Sequence, residues 1–501
     1  MNENLILMNA NPVVRSLQKL PCEFTKEDII RYVETEGIEM VNFMYPGGDG
    51  RLKTLSFTVN SRQYLDTILT CGERVDGSSL FSFIQAGSSD LYVLPRFSTA
   101  FRDPFAQIPT LCMLCSYFDK DGQPLASAPE HTLVKATRAF RDVTGMEFHA
   151  MGELEYYVVS VAETKFPAVD QRGYHESAPF VKTGDFRQRC MHAVAQCGGQ
   201  IKYGHSEVGN FTMDGLCYEQ NEIEFLPVPA LEAADQLMIA KWVIRNMAWR
   251  EGMDVTFSPK IIAGKAGSGL HIHMRIMRDG CNQMTDGGSL SVSARRMIAG
   301  MMDVAGAITA FGNKNPLSYF RLVPHQEAPT NICWGDRNRS VLVRVPLGWT
   351  SGRDMCHEAN PQQPSAVPDT AAKQTVEMRS PDGSADIYQL LAGLCVACRH
   401  GFEMPDALDV ADRTYVNVNI HDAANADRLE QLSTLPDSCV ASADVLERQR
   451  GVFEQYGVFS AAMIDGIIAQ LRSFGDADLR QRIEHNREAT EQLVHRFFHC
   501  G

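Results

Sequence analysis

The chain has 501 residues, of which 44% are hydrophobic and 22% are charged, a composition typical of globular proteins. This length excludes a small scaffold held by disulfides and allows several domains of about 150 residues each. Lys and Arg number 47 against 61 Asp and Glu, so the net charge is −14. Nucleic acid and anionic membranes prefer basic surfaces, and we expect neither as a partner. An anionic substrate would need a metal ion or a local group of arginines to reverse the field.

The sequence also bears on the compartment in which the protein works. A membrane span needs about 20 nearly uninterrupted apolar residues, whereas the closest segment, residues 297–312, is shorter and contains Asp303. Residues 1–4 lack the basic and apolar regions that open a secretory signal peptide. The 14 cysteines are scattered without the spacing of a disulfide framework, so we predict reduced thiols and a cytoplasmic location.

The N-terminal part of the chain predicts a small mixed domain. Residues 1–23 are interpreted as a tail. Helical periodicity over 26–37 precedes strand-like segments that are broken by Gly, Asp and Ser turns, at 40–44, 52–59, 91–94 and 110–118. Residues 122–129 are rich in Gly, Pro and small side chains and predict a linker. The small domain is therefore assigned to residues 24–125.

Residues 126–501 predict a larger domain that ends in a helical region from about residue 441. Apolar periodicity indicates helices at 130–143, 231–251 and 292–311. Strand-like segments lie between them, at 153–161, 221–226, 269–276, 341–345 and 375–379. Long loops at 313–331 and 348–372 are typical of lids, binding loops or insertions.

Four of these strand-like segments carry ligand-type side chains at positions i and i+2, which share one face of a strand. The pairs are Glu153 and Glu155, Glu222 and Glu224, His271 and His273, and Glu377 and Arg379. One such pair alone is more often a solvated strand face. Jointly, and with Glu207, they favour a site for hard divalent cations, which bind carboxylate oxygens and in the case of Mn²⁺ also imidazole. Such convergent acids suit two-metal phosphoryl chemistry.

Several longer motifs occur in a fixed order along the chain. They are Val75-Asp-Gly-Ser-Ser79, Gln220-Asn-Glu222, Gly269-Leu-His-Ile-His-Met274, Arg321-Leu-Val-Pro-His-Gln-Glu-Ala-Pro329, Arg337-Asn-Arg-Ser340 and Glu377-Met-Arg-Ser-Pro-Asp382. Over residues 24–475 this set resembles the glutamine synthetase superfamily, of the bacterial type I. The resemblance implies an α+β fold, with a small N-terminal β-grasp domain and a large catalytic domain whose curved antiparallel sheet is backed by helices.

The resemblance implies an ATP-dependent ligase that joins ammonia to L-glutamate and uses at least two Mg²⁺ or Mn²⁺ ions per site. A carboxylate has no good leaving group, so it must first be activated as an acyl phosphate. Because two anions must then meet, metals and arginines have to neutralise the moving phosphoryl group. Arg321, Arg337, Arg339 and Arg344 supply the local positive charge that the acidic composition requires.

The roles carried over from the resemblance divide the candidate residues into sets. Glu155, Glu207 and Glu222 resemble the ligands of one metal, and Glu153, His271 and Glu377 those of the other. Arg321, Arg379 and Gly267 resemble the glutamate contacts, with Arg339 and Arg344 facing phosphate. His205, His273 and Lys373 resemble nucleotide-side residues. Asp76, Glu327 and Tyr174 resemble the ammonium pocket, in which Asp76 would take the proton and Glu327 would act as a lid, and Ser79 is a further substrate contact.

The same resemblance implies a homo-oligomeric ring, with twelve subunits as the expected number, in which the small domain with Asp76 completes a neighbour's site. Some positions depart from the family pattern: Ala266 replaces an Asn, Lys202 and Arg275 replace a Glu and a Ser, and 210–217 and 348–372 read as insertions. Two alternatives therefore stay open. One is a γ-glutamyl ligase for an organic amine such as a polyamine or ethanolamine. The other is a catalytically dead relative, which the full set of metal ligands disfavours.

Overall fold

The computed structural model describes residues 2–81, 84, 89–323, 328–346, 354–366, 371–418, 432–483 and 486–501. The small domain contains six strands: β1 Met40–Pro46, β2 Leu52–Thr58, β3 Glu73–Asp76, β4 Asp90–Pro95, β5 Phe101–Arg102 and β6 Thr110–Phe118. Their order is β2-β1-β6-β4-β3, with β5 on β6, and β1 runs parallel to β6. The helices of this domain are Lys26–Thr35 and Arg62–Cys71. This arrangement confirms the predicted β-grasp domain.

The N-terminal residues pack on this domain. Short helices span Asn2–Leu7 and Pro12–Leu17. Val13 and Val14 are fully buried in the same apolar cluster as the small sheet. The side chain of Asn11 caps the second helix and also donates to the carbonyl of Ala100, which ties this segment to the sheet.

The large domain is built on a ten-stranded sheet, which confirms the predicted α+β architecture. Its strands are β7 Glu147–Val161, β8 Ile201–Met213, β9 Leu216–Phe225, β10 Val228–Pro229, β11 Asp254–Thr256, β12 Leu270–Arg278, β13 Cys281–Asn282, β16 Trp334–Asp336, β17 Val343–Val345 and β18 Val376–Met378. The order is β16-β17-β18-β12-β7-β9-β8, antiparallel except between β16 and β17. A separate hairpin joins β14 Thr285–Asp286 to β15 Ser289–Leu290.

Three helices pack directly against the strands of this sheet, namely Pro129–Thr144, Gly184–Gln196 and Ala230–Arg250. The other described helices of the large domain are Val292–Asp303, Ala305–Gly312, Pro316–Arg321, Met355–Ala359, Ile387–Glu403, Ala407–Thr414, Cys439–Glu454, Ala461–Arg472, Leu479–Ile483 and Arg487–Phe497. The single helix predicted over 292–311 is wrong, because Val304 breaks it with φ −111° and ψ 19°. Within the described ranges no helix is both long and apolar enough to cross a membrane.

Residues 210–217, an extra turn-like stretch relative to the family pattern, are mostly strand. These residues extend β8 and β9, which pair from Asn210 opposite Glu219 to Met213 opposite Leu216. The two-residue turn consists of Asp214 and Gly215, with φ 51° and 77°, the left-handed conformation that such hairpins need. The stretch therefore lengthens a hairpin beside the site.

Candidate active site

The pairing of the central strands explains why the predicted acids converge. Glu153 on β7 lies opposite His271 on β12 and opposite Glu224 on β9. Two residues further along β7, Glu155 lies opposite Glu222. Because alternate residues of a strand share a face, all five side chains project from the same side of the sheet. Strand register therefore gathers the candidate ligands from three strands.

Further candidate side chains lie on the strands to either side of these three. On β8, His205 lies opposite Glu222. On the other side His273 lies opposite Glu377 of β18, which in turn lies opposite Arg344 of β17. The site thus spans six neighbouring strands of one sheet face.

These side chains surround a cleft of about 810 Å³. Most residues that the sequence nominated line it, namely Glu153, Glu155, Tyr174, His205, Glu207, Glu222, Gly267, His271, His273, Arg321, Arg339, Arg344, Glu377 and Arg379. Their joint presence in one cleft was not imposed by any single motif. It follows from strand register and from the loops that carry Tyr174, Gly267 and Arg339.

Among the described residues, three of the predicted set do not line the cleft. Asp76 and Ser79 are exposed on the small domain, where the carboxylate of Asp76 accepts hydrogen bonds from Ser78 and Ser79. The hydrogen bonds from Ser78 and Ser79 lower the pKa of Asp76 to about 2, so it is ionised at neutral pH. Lys373 is exposed in a short turn, Ala371–Lys373. Glu327 lies outside the described residues.

Two irregularities in β8 place side chains that a regular strand would direct elsewhere. Ile201 and Tyr203 pair with consecutive residues of β9, so Lys202 is an extra residue at a bulge. A second shift between Ser206 and Asn210 contains Glu207. Bulges redirect side chains, and both Lys202 and Glu207 line the cleft.

The acids and imidazoles form groups with the geometry of cation sites. In one group His205, Glu207 and Glu222 offer ligand atoms that all lie within 4.8 Å of one another. A second group of the same size contains Glu153, His273 and Glu377. The donor set fits Mg²⁺ or Mn²⁺, because it combines carboxylate oxygens with a few imidazole nitrogens.

Both histidines of β12 contact the carboxylates of the second group. His271 Nδ1 lies 2.9 Å from Glu153 Oε2 and 3.7 Å from Glu377 Oε1. His273 Nε2 lies 2.8 Å from Glu153 Oε1 and 3.9 Å from Glu377 Oε2. The sequence-based choice of His271 as the metal ligand and His273 as a nucleotide-side residue therefore stays a prediction, since either imidazole can complete this group.

The charges in the cleft show where a cation is needed. Burial and the neighbouring carboxylates Glu153 and Glu155 raise the pKa of Glu222 well above its usual range. Burial and Glu155 raise the pKa of Glu207 to about 7. Burial alone would also raise the pKa of Glu153, but His273 and His271 outweigh it and hold that pKa well below its usual range. On the side of the cleft with Glu207 and Glu222, the ionised form of these carboxylates therefore needs a cation to be stable.

Arginines supply positive charge on the opposite side. Arg321 is buried, and its guanidinium donates to the carbonyl of Ser380 at 2.8 Å. Arg344 and Arg379 contact the two oxygens of Glu377 at 2.9 and 3.1 Å. Burial would lower the pKa of Arg339, but a hydrogen bond with Tyr174 raises it. An anionic ligand in this cleft would therefore have guanidinium groups on one side. On its other side would be the carboxylates, which need bound cations.

A buried glutamine that sequence reasoning gave no role connects these parts. Gln220 Nε2 donates to the carbonyl of Gly267 at 2.9 Å and to Glu155 Oε2 at 3.2 Å. Its Oε1 accepts from the backbone N–H of Gly209 at 2.9 Å. A Cβ at Gly267 would lie 2.6 Å from the carbonyl oxygen of Pro259, so only glycine fits this close approach. Gln220 thus fixes a metal-side carboxylate, the bulge of β8 and the Gly267 loop relative to one another.

Other residues that line the cleft had no role carried over from the family resemblance. They include Lys202, Tyr203, Glu224, Arg337 and Asn338. Lys202 was visible in the sequence as a departure from the family pattern. Tyr203 was missed although it lies two residues before His205, a spacing that places both side chains on one face of a strand.

Comparisons with known proteins agree with this architecture. The family model described as "Glutamine synthetase, catalytic domain" matches residues 126–487, and that described as "Glutamine synthetase, beta-Grasp domain" matches residues 37–120. The chain is 29% identical over 389 residues to the glutamine synthetase of Clostridium saccharobutylicum, covering 76% of this chain and 80% of that protein. It is 27% identical over 481 residues to that of Frankia alni, covering 88% and 94%.

Solved structures show the same fold at low identity. The cryoEM structure of Plasmodium falciparum glutamine synthetase matches with a TM-score of 0.75 and 18% identity, over 93% of this chain and 99% of that one. The structure called "Apo GmaS without ligand" matches with a TM-score of 0.69 and 19% identity, over 90% and 96%. Fold, cleft and matches together define an ATP-dependent ligase. The chain belongs to the glutamine synthetase family.

Proposed function

We propose that the protein ligates ammonia to the side-chain carboxylate of L-glutamate, forming glutamine, ADP and phosphate from ATP. The observation that carries this proposal is the single cleft in which candidate metal carboxylates face Arg321, Arg339 and Arg344. Attack of the glutamate carboxylate on the γ-phosphorus of ATP gives an acyl phosphate and ADP. Ammonia then attacks the acyl carbon, and phosphate leaves.

The protein's own residues serve this sequence mainly by holding charges in place. Bound Mg²⁺ or Mn²⁺ would supply positive charge to the phosphate oxygens. Arg339 and Arg344 offer guanidinium donors for the transferred phosphoryl group, and Arg321 and Arg379 for the carboxylates of glutamate. His205, His273 and Lys373 are proposed for the nucleotide side. Asp76, Ser79, Tyr174 and Glu327 are proposed to hold ammonium and accept its proton.

The identity of the amine has a second candidate, because one position in the cleft lacks an expected donor. Ala266 lines the cleft with a methyl group, and its backbone is held by Tyr157, which donates to its carbonyl at 2.8 Å. Loss of an amide side chain there leaves more apolar space near the amino-acid end. This favours a γ-glutamyl ligase for an organic amine as the alternative.

An assay of ATP turnover with L-glutamate and a panel of amines tests both candidates. Ammonium, ethanolamine and putrescine are compared at equal free-amine concentration, and the products are identified by mass. We expect glutamine formation from ammonium to have the highest kcat/KM. Faster turnover of an organic amine would replace ammonia ligation with the alternative, and no turnover of any amine would favour the catalytically dead relative.

We further propose that the protein assembles as a homo-oligomeric ring with active sites shared between subunits. Asp76 and Ser79 support this, because both are exposed on the small domain and do not line the cleft of their own chain. Light scattering measures the mass of the assembly. Full activity in a monomer would contradict the shared site.

A further inference from the structure

The cleft holds an ion pair that the proposed function does not use. Lys202 Nζ lies 2.5 Å from Glu224 Oε1. The side chain of Glu224 is only 2% exposed, whereas that of Lys202 is 40% exposed. The ammonium also lies 5.0 Å from the ring centre of Tyr203, which favours a cation at this place.

Glu224 belongs to a third group of carboxylates in the same cleft. Glu153, Glu222 and Glu224 offer oxygens that all lie within 4.8 Å of one another. Glu224 lies directly opposite Glu153 in the sheet, so this proximity follows from strand register rather than from loop placement. Glu222 and Glu224 are buried and Glu153 is partly buried, so the three acids repel one another at this distance unless a cation lies among them.

The bulge in β8 explains how Lys202 reaches this group. In a regular strand, Lys202 and Tyr203 would point to opposite faces of the sheet. Because Lys202 is the extra residue of the bulge, both side chains line the cleft. The local backbone therefore directs an ammonium group toward the three carboxylates Glu153, Glu222 and Glu224.

We propose that Lys202 is a built-in cation that takes the place of a divalent ion at the Glu153–Glu222–Glu224 group. This inference rests on the proposed function, since it assumes that the other two carboxylate groups bind metal. The ammonium neutralises Glu224 permanently, and the chain then binds two divalent ions rather than three. Removal of the ammonium leaves Glu224 with a carboxylate oxygen open to a metal, because Oε2 has no hydrogen-bond partner within the described part of the chain. The other side-chain contact of Glu224, a hydrogen bond with Tyr203, is neutral and does not replace the lost charge.

Counting bound Mn²⁺ tests the inference without reference to activity. The full-length protein is titrated with Mn²⁺ alone at neutral pH, and the free ion is measured by its electron paramagnetic resonance signal. We expect two ions per chain in the wild type and three in Lys202→Met. Lys202→Arg, which keeps the charge, and the double variant Lys202→Met with Glu224→Gln should both bind two.

The outcomes separate this inference from the proposed function. Two ions in both the wild type and Lys202→Met would overturn the role of Lys202 and leave the proposed metal sites intact. Three ions in the wild type would also overturn it. No bound Mn²⁺ in the wild type would overturn the proposed metal sites themselves. A thermal melt of each variant checks folding. In the double variant, binding at the two remaining metal sites shows that the rest of the cleft is intact.

Discussion

Arg96 and Asp235 form a two-point ion pair between the domains. Arg96 follows strand β4 of the small domain, and Asp235 lies on the helix Ala230–Arg250 behind the large sheet. Both guanidinium–carboxylate contacts measure 2.7 Å, and the hydroxyl of Tyr388 donates to the same carboxylate at 2.7 Å. That helix packs against β7, the strand of Glu153. The pair therefore fixes the small domain relative to the strand at the centre of the site.

Replacement of Arg96 by Leu should destabilise the protein strongly. Asp235 would keep its burial and lose its charge partner, and breaking a buried pair in this way costs about 3–5 kcal/mol in the free energy of unfolding. Denaturation by urea measures the change. Arg62→Leu is the control, since Arg62 contacts Glu27 and Glu34 on an exposed surface and such pairs contribute little. Equal shifts of both midpoints would contradict the structural role of Arg96.

Alternation along strands was enough to predict the face that carries the site. Glu153 with Glu155 and His271 with His273 project together because β7 and β12 are regular there. The bulge at Lys202 was not predictable, since no Gly or Pro marks it and bulges depend on pairing with the neighbouring strand.

Other features depended on tertiary structure in the same way. The break at Val304 was missed because apolar periodicity continues through it. The length of the hairpin over residues 210–217 was not predicted, because Asp214 and Gly215 mark a turn without showing how far the strands extend. Whether Asp76 serves a neighbour's site depends on a second chain, which one sequence does not describe.

The metal-free protein should lose stability as the pH rises through the range in which Glu207 titrates. Burial and Glu155 raise the pKa of Glu207 to about 7 in the folded state, above its value in the unfolded chain. Between these two values the folded protein binds more protons, so the free energy of unfolding falls with rising pH. Glu207→Gln stays neutral at every pH. In a chelator, we therefore expect its melting temperature to exceed that of the wild type by a margin that grows as the pH rises from about 5 to about 8.

Added Mg²⁺ or Mn²⁺ should reverse the order of the two melting temperatures, so that the wild type melts above Glu207→Gln. The cation compensates the ionised carboxylates of Glu207 and Glu222, so it should raise the melting temperature of the wild type more at high pH than at low pH. Glu207→Gln should gain less, and its turnover should collapse while its fold survives. A melting difference between the two proteins that does not change with pH would contradict the assignment of Glu207 to an uncompensated cluster.

Gln220 should control metal affinity without binding substrate. Gln220→Met keeps the volume but removes the bonds to Glu155, Gly209 and the Gly267 loop. Loss of a residue that orients metal ligands typically weakens metal binding by about 10–100-fold. A Mn²⁺ titration measures this, with Gln63→Met as an exposed control on a small-domain helix. Unchanged Mn²⁺ affinity in Gln220→Met would show that Glu155 keeps its orientation without this bond.

Asp76 should act on the amine step and do so in a neighbouring chain. Its carboxylate is ionised and exposed, and Ser78 and Ser79 fix its direction. In Asp76→Ala, removal of one such transition-state contact should lower ammonia-dependent glutamine formation by about 10²–10³-fold. Glutamate-dependent release of ADP without ammonium should fall much less, because Asp76 is proposed to contact the amine and not the transferred phosphoryl group.

Co-expression of two inactive variants then tests where Asp76 acts. Asp76→Ala has an intact large domain, and Arg339→Ala has an intact small domain. If a site combines the small domain of one chain with the cleft of the next, mixed rings contain some sites in which both residues are present. We expect the co-expressed pair to regain a fraction of wild-type turnover that neither variant shows alone. Mass measurement shows whether the rings are mixed. If mixed rings are fully inactive, Asp76 and Arg339 act in the site of one and the same chain, and the shared site would be wrong.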